Sequence, residues 1–171
     1  MKRGKKVFIV CHCLLNSNAK IYPLADTPGV YTDNLAPLMH EGVGLVQLPC
    51  PETCYLGLNR WGMTKEQYDH QAFRDFCKTI LHPVLLQITA FAQAGYIISG
   101  VAGMDGSPNC GITRTCVGYR GGEICSGNEM NLGNNLEMVP GRGIFMEILE
   151  ELLRAVGIVP PFVSLHQENA A

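Results

Sequence analysis

Four short apolar segments, separated by longer amphipathic ones, dominate the pattern of hydrophobic and polar residues along the chain. The first, Val7-Phe8-Ile9-Val10, is a continuous run of β-branched and aromatic type, which is typical of a buried strand. The segments 43–48 and 96–102 have the same character. A fourth, at 159–165, contains two prolines and therefore suits only the edge of a sheet. The pattern predicts four strands.

Between these strands, apolar residues recur at the spacing typical of helices. A helix is predicted from Pro28, with Thr27 as its cap, to about residue 40. Thr64 and Gln67 form a capping-box signature, which opens the best-marked helix of the chain. Its apolar residues recur every three or four positions as far as residue 88. Pro83 lies within that pattern and predicts a kink or break near residue 82.

The second half of the chain contains a long segment without periodicity. Residues 112–138 are rich in glycine and asparagine, and we predict no regular structure there. A last helix is predicted over 144–156, where isoleucine and leucine residues share one face.

Alternating strands and helices of this kind predict an α/β fold. We expect a single domain spanning residues 1–171, with a doubly wound, Rossmann-like and mostly parallel sheet of four to five strands. Helices would cover both faces of this sheet, which explains why the strand segments are apolar throughout.

Composition and charge exclude several classes of function. The net charge of -2 and the scattered basic residues predict no nucleic-acid partner. No segment reaches the ~18 to 20 uninterrupted apolar residues of a membrane span, and the start lacks the features of a signal peptide. We therefore expect a cytoplasmic protein with no membrane partner, and a homodimer is compatible with the sequence.

Eight cysteines are many for a cytoplasmic protein, where disulfides are rare. Three of the four predicted strands run into a cysteine-bearing loop, which contains Cys11 and Cys13, Cys50, or Cys110. If these strands are neighbours, the cysteines converge on one edge of the sheet. Soft thiolates select zinc, copper(I) or iron–sulfur clusters, and the chain contains no C-x2-C pair of the kind common in structural zinc sites. Three single cysteines favour a [4Fe-4S] cluster with one open iron.

Two further polar residues accompany these cysteines. Glu52 follows Cys50 by two positions, and Ser107 precedes Cys110 by three. A carboxylate in a dry pocket can exchange protons near neutral pH. The serine hydroxyl can donate to a developing negative charge or position a water molecule.

The motifs Cys13-Leu14-Leu15, Cys50-Pro51-Glu52 and Ser107-Pro108-Asn109-Cys110-Gly111 resemble the DUF523 family, whose characterised members are thiouracil desulfidases of the TudS type. The resemblance spans almost the whole chain. It implies that Cys13, Cys50 and Cys110 ligate a [4Fe-4S] cluster, and that Glu52 and Ser107 serve catalysis. The implied reaction is the non-redox removal of sulfur, as hydrosulfide, from a small thiolated molecule such as a thionated nucleobase.

The chain departs from the family pattern in ways that mark a divergent branch. Asn16 follows Cys-Leu-Leu where the family usually has glycine, and the family's Arg-Tyr-Asp-Gly segment is missing. The second motif is followed only by Gly57-Leu58 in place of Gly-Gly-Leu. Because these segments would shape the substrate pocket, the ligands are better supported than the substrate.

The other candidate residues have simpler interpretations. Cys11, at a strand end, is expected in the core, although it competes with Cys13 as first ligand. Cys54 is a fourth ligand, a resolving thiol or a packing residue, and His12 is expected to be a hydrogen-bonded structural residue. Arg60, next to Trp61, is either a substrate contact or a surface residue. The remaining cysteines are expected to pack in the core or the long loop: Cys77, Cys116 and Cys125.

Two other functions compete with the desulfidase. One is a cluster-free cysteine hydrolase, with Cys110 or Cys50 as nucleophile and His12 or Glu52 as base. The other is a non-catalytic module that binds an iron–sulfur cluster or zinc in sulfur or metal handling.

Overall fold

A parallel sheet of four strands forms the centre of the molecule. The computed structural model describes residues 3–121 and 136–166. The strands of this sheet are Lys6–Val10 (β1), Gly44–Gln47 (β2), Ile97–Met104 (β3) and Phe162–His166 (β6). Two further strands, Arg114–Val117 (β4) and Glu137–Pro140 (β5), lie outside it. The sheet has the order β2-β1-β3-β6, and every neighbouring pair is parallel. The predicted α/β class, the parallel sheet and the edge position of the fourth predicted strand are confirmed.

Helices fill the connections between these strands and flank the sheet. They are His12–Leu15 (α1), Thr32–His40 (α2), Pro51–Leu56 (α3), Lys65–Tyr68 (α4), Gln71–Gln93 (α5) and Ile144–Ala155 (α6), with a 3-10 helix at Ser17–Ala19. The core lies between β1, β3, α5 and α6, where the inward residues of the apolar stripes are fully buried. Within the described residues, no helix is long and apolar enough to cross a membrane.

The predicted start of α2 is wrong by several residues. The helix begins at Thr32 and not at Pro28. The reason is a tertiary contact, because Gly29 has a φ of 84° and exchanges hydrogen bonds with Ser17 through its amide N–H (3.0 Å) and carbonyl (2.7 Å). Thr27 also takes part, since its carbonyl accepts from the Ser17 hydroxyl at 2.5 Å. These contacts hold the segment as a loop.

The long helix lies in the predicted part of the chain, but its predicted boundaries are wrong. The capping box of Thr64 and Gln67 exists, but the helix that it opens ends at Tyr68. A new helix, α5, then begins, with the His70 ring accepting a hydrogen bond from the Phe73 amide at 3.3 Å. This helix continues through Pro83, so the predicted break does not occur.

Part of the segment predicted to be irregular forms a small second sheet. Strand β4 pairs antiparallel with β5, and Thr115 lies opposite Val139. The pairing joins residues at least twenty positions apart, so local periodicity does not reveal it. Residues 122–135, which include Cys125, lie outside the described part of the chain.

Candidate functional site

The carboxyl ends of three neighbouring strands bring the predicted cysteine loops to one edge of the sheet. Val10 of β1 is level with Gln47 of β2 and Ala102 of β3. Backbone hydrogen bonds extend this register from Cys11 N to Ala102 O (3.0 Å) and from Leu48 N to Val10 O (2.8 Å). Since β1 lies between β2 and β3, the edge is a topological switch point, where parallel α/β sheets bind their ligands.

Four thiols lie together at this edge, and we call them the thiol cluster: Cys11, Cys13, Cys50 and Cys110. The Sγ atoms of Cys11 and Cys13 are 3.5 Å apart. Cys110 lies close enough to Cys11 for each thiol to shift the pKa of the other, and Cys50 lies close enough to Cys110 to raise its pKa. Cys11 and Cys110 are buried, whereas Cys13 and Cys50 are half-buried. The structure therefore brings together all the cysteines that the sequence placed at strand ends.

Mutual contact and burial raise the pKa values of these thiols. The hydrogen bond with Cys110 and burial raise the pKa of Cys11 well above its ordinary value, and the hydrogen bond with Cys11 does the same for the pKa of Cys13. Burial raises the pKa of Cys50. The hydrogen bond from Cys11 lowers the pKa of Cys110, but burial and nearby acidic groups bring it to about 11. A soft cation would have to displace these protons on binding.

The start of α3 places Cys50 and Glu52 side by side. Pro51 occupies the first helical position, where a missing amide N–H costs nothing. Cys50 caps the helix, and its Sγ accepts a hydrogen bond from the Thr53 amide at 3.4 Å. Glu52 lies in the first turn, where the helix dipole favours a carboxylate. This turn presents a thiol and a carboxylate to the same site.

Two partners hold the Glu52 carboxylate next to the thiol cluster. Arg60 Nε and Nη2 each lie 3.3 Å from Glu52 Oε2, and Asn109 Nδ2 donates to Oε1 at 3.1 Å. Arg60 is anchored in turn on the carbonyls of Gly57 (2.9 Å) and Ala19 (2.7 Å). The Arg60 side chain is only 4% exposed and that of Glu52 18% exposed, so this ion pair is largely withdrawn from water.

Ser107 organises the turn that leads to Cys110. Its Oγ accepts hydrogen bonds from the amides of Asn109 (3.2 Å) and Cys110 (2.9 Å). A hydroxyl oxygen has two acceptor positions, so only the hydroxyl hydrogen remains for another partner. Ser107 is half-buried, and its free hydrogen suits it to donate to a negative charge rather than to act as a base.

The loop that carries Ser107 and Cys110 folds tightly onto its own backbone. A methyl group on Gly103 would lie 2.2 Å from the Cys110 carbonyl oxygen, and one on Gly111 would lie 2.4 Å from the Arg114 carbonyl oxygen. Asp105 holds the far side of the loop, where it accepts from the amides of residues 112 (2.9 Å) and 113 (2.8 Å). These contacts make the loop a rigid support for the site.

The cysteines outside the thiol cluster occupy other positions. Cys77 is buried on α5, and burial raises its pKa to about 12, as expected for a core residue. Cys116 is buried in β4, where burial raises its pKa to about 11. Cys54 is exposed and lies one helical turn after Cys50.

Three residues differ from their sequence interpretation or were not singled out. Cys11 is buried, as expected for a core residue, but it is also part of the thiol cluster. Arg60 is neither a surface residue nor free to meet an anion, because it pairs with Glu52. Asn109 has no signal of its own in the sequence, although it lies inside the Ser-Pro-Asn-Cys-Gly motif. His12 is a structural residue as predicted, with Nδ1 2.6 Å from the side-chain amide of Gln47.

The donor chemistry of the thiol cluster fits a metal group that prefers sulfur. Within residues 3–121 and 136–166, no three His, Cys, Asp or Glu side chains form a ready metal-binding group. However, four soft thiols from three loops form the type of donor set that iron–sulfur clusters, zinc and copper(I) select. Cys13, Cys50 and Cys110 come from separate loops, and together with Cys11 they are the thiols at this edge that could hold such a group.

Comparison with known proteins gives one family relationship. No protein-family model matches the chain, and no solved structure matches it. The uncharacterized protein MJ0003 of Methanocaldococcus jannaschii is 34% identical over 110 residues, which represent 64% of this chain and 70% of that protein. Because the similarity covers so much of the relative, the chain belongs to the same protein family as MJ0003 of M. jannaschii.

Proposed function

We propose that this protein is a desulfidase, which hydrolyses a small thiocarbonyl compound and releases its sulfur as hydrosulfide. The observation that carries this proposal is the position of Glu52, which Arg60 and Asn109 hold beside the thiol cluster. The reaction adds one water molecule to the thiocarbonyl carbon, forms a carbon–oxygen double bond and breaks the carbon–sulfur double bond. No net oxidation or reduction takes place, so no external electron acceptor is required.

The proposed cofactor is a [4Fe-4S] cluster held by Cys13, Cys50 and Cys110, because three thiol ligands leave one iron open to sulfur. When bound, such a cluster would supply a Lewis acid that polarises the carbon–sulfur bond. The donor type supports this assignment, since thiolates are the common ligands of iron–sulfur clusters. Cys11 lies next to these ligands, and its buried thiol would keep water away from them.

Glu52 and Ser107 have complementary roles in this proposal. Glu52 would accept a proton from the attacking water molecule, and its two anchors keep the carboxylate in place during that step. Ser107 would donate its free hydroxyl hydrogen to the negative charge that develops as water adds to the carbon. The proton held by Glu52 then passes to the departing sulfur, which leaves as hydrosulfide, while the hydroxyl group of the adduct loses its proton to solvent as the carbon–oxygen double bond forms.

The surroundings of Cys50 and Cys110 differ from those expected of a cysteine nucleophile. A nucleophilic cysteine needs a lowered pKa or a neighbouring base. The pKa values of Cys50 and Cys110 are raised instead, mainly by burial in the case of Cys50. Burial also lowers the pKa of His12, whose Nδ1 is engaged with Gln47.

Cofactor analysis tests the ligand assignment. The protein is purified under anaerobic conditions, and its iron, labile sulfide and visible absorption are measured. We expect about four iron and four sulfide per chain, and loss of both in Cys13→Ser, Cys50→Ser and Cys110→Ser. Cys54→Ser is the matched control, because this cysteine is exposed and should leave the cofactor intact. Wild-type protein without iron and sulfide would refute the assignment.

Sulfide release from 2-thiouracil tests the catalytic part of the proposal. Glu52→Gln and Ser107→Ala should lower the rate by roughly 10²–10⁴-fold while iron content stays unchanged. If both variants bind the cofactor and release sulfide at the wild-type rate, the roles of Glu52 and Ser107 are wrong. A protein that retains the cofactor but acts on no thiocarbonyl compound would instead be a binding module.

A further inference from the structure

An open cavity lies along the edge strand β2 and the start of β1, away from the thiol cluster. Its volume is about 560 Å³, which is within the range of about 300–1,000 Å³ for small-molecule sites. None of the clustered thiols lines it, and neither does Glu52 or Ser107. Its residues on β1 begin at Lys6, four residues or roughly 13 Å before the end of that strand at Val10. The cavity is therefore separate from the site already described.

The lining of this cavity is positively charged. Arg3, Lys5 and Lys6 contribute three cations, and none of the lining residues is acidic. All three basic residues are exposed to solvent. In the described part of the chain, none of them forms an ion pair with a carboxylate. Cations that are gathered in one concave surface without a counter-charge attract an anion.

The other walls of the cavity are largely apolar. Val7 and Leu45 of the sheet line it, together with Phe91 of α5 and Tyr96, which follows that helix. The rings of Phe91 and Tyr96 are half-buried and pack against each other, with their centroids 5.2 Å apart. Gly44 leaves the space beside Val7 open, because a methyl group there would meet Val7 Cγ1 only at 3.6 Å, an ordinary contact distance. A ligand in this cavity therefore meets both cations and apolar groups.

The backbone holds the basic segment in a strained conformation. Lys5 has a φ of 53°, and within the described ranges it is the one residue other than glycine with a positive φ. Its carbonyl accepts a hydrogen bond from the Ile97 amide at 2.9 Å, and a methyl group on Gly4 would lie 2.3 Å from the Gly42 carbonyl oxygen. Consecutive residues of an extended strand point to opposite faces, whereas Lys5 and Lys6 both line the cavity. Backbone strain of this kind is concentrated at ligand-binding and active sites.

We propose that this cavity is a second ligand site, which binds a small phosphate monoester with an apolar body. A phosphate monoester carries a charge of about −1.5 to −2 at neutral pH, so three cations without an acidic neighbour suit it. Arginine and lysine are the side chains that commonly bind phosphate. The apolar walls would contact the body of the ester, which a long polyanion such as a nucleic acid cannot place in the cavity. This inference goes beyond the proposed desulfidase function and does not depend on it.

Three probes test which parts of a ligand the cavity recognises. Binding of phenyl phosphate, inorganic phosphate and phenol to the full chain is measured by calorimetry. Phenyl phosphate should bind at least about tenfold more tightly than either of the other two, because it alone uses both the cations and the apolar walls. Equal affinities for phenyl phosphate and inorganic phosphate would overturn the inference, and so would the absence of any binding by phenyl phosphate.

Variants on the two sides of the cavity locate the bound ester. Lys5→Gly and Lys6→Gln should each weaken phenyl phosphate about two- to fivefold and leave phenol unchanged, since they remove exposed charges only. Glycine adopts a positive φ without strain, so Lys5→Gly should fold. Gly44→Val should weaken both aromatic probes at least about tenfold, because its side chain fills the space beside Val7 while every charge remains. Gly44→Ala provides a smaller variant if the valine variant does not fold.

A matched control separates this site from general attraction to a basic surface. Lys78→Gln removes the same charge from a half-exposed lysine of α5 that does not line the cavity, and it should keep the wild-type affinity. An equal loss in Lys78→Gln and Lys6→Gln would overturn the inference. Binding of a short single-stranded oligonucleotide without binding of phenyl phosphate would overturn it as well, and would indicate a surface for extended polyanions. Cys50→Ser should bind phenyl phosphate like the wild type, whether or not sulfide release is found, so the two proposals fail separately.

Discussion

Replacement of Arg60 by methionine removes the guanidinium that anchors Glu52 while it keeps most of the apolar length of the side chain. Arg60 is 4% exposed, and methionine has no group to replace its contacts with Glu52 Oε2 or with the carbonyls of Gly57 and Ala19. Removing one partner of a buried ion pair costs about 3–5 kcal/mol. The 3.3 Å contacts and the partial exposure of Glu52 place this case near the lower end, at about 3 kcal/mol.

The expected loss is large enough to measure by thermal unfolding. For a chain of this length, each kcal/mol lowers Tm by roughly 2–4 °C, so Arg60→Met should melt about 6–12 °C below the wild type. The matched control is Arg154→Met, whose side chain is 69% exposed and whose pair with Glu150 should contribute at most about 0.5 kcal/mol. A circular-dichroism melt of both variants at neutral pH gives the comparison.

A double-mutant cycle shows whether the cost comes from the ion pair. Because Glu52 loses its ion-pair partner in Arg60→Met, the additional change Glu52→Gln should cost less in that background than in the wild type. The coupling between the two sites should be about 1–3 kcal/mol. An Arg60→Met variant that melts within about 2 °C of the wild type would refute this description of the site. Costs that simply add would refute it as well.

Three further predictions concern the support of the site. Gly143→Ala should lower the free energy of unfolding by about 1–3 kcal/mol, because the added methyl group would lie 2.4 Å from the backbone of Asn109. Gly62→Ala, where the nearest atom is 3.9 Å away, should change it little. Equal urea midpoints for the two variants would contradict the close contact at Gly143. Burial by itself raises the pKa of Asp105, but the hydrogen bonds from Thr113 and the adjacent amides outweigh it, so the pKa is lowered overall. Its contribution is therefore present above its unfolded pKa of about 3.9 and is lost as the pH falls through its lower folded pKa. Asp105→Asn should cost about 1–3 kcal/mol at pH 7 and less in acid, and a Tm difference independent of pH would be inconsistent with this. In metal-free protein at pH 7, iodoacetamide should modify the exposed Cys54 before the buried Cys110, because the pKa of Cys110 is raised to about 11. Peptide mass mapping measures the order of modification. Modification of Cys110 first would contradict the burial of the thiol cluster.

Local patterns in the sequence were sufficient for the elements that local forces specify. The run Val7–Val10 is apolar at every position, because both faces of a central parallel strand are buried. Such a run can be recognised from the sequence alone. The capping box at Thr64 is equally local, since its partner is three residues away. The end of that helix was not predictable in the same way, because a separate cap at His70 starts α5.

The sequence by itself determined which thiols could meet, but only the tertiary structure decided how they are held. Cysteines that follow parallel strands come together at one edge of the sheet whenever those strands are neighbours. The order β2-β1-β3 makes them neighbours here. The partners of Glu52 have no such local signal. Arg60 is eight positions away and Asn109 is 57 positions away, so no periodicity connects them. A hydrogen bond depends on distance and direction in space, and the chain sets these for distant residues only after the sheet has formed.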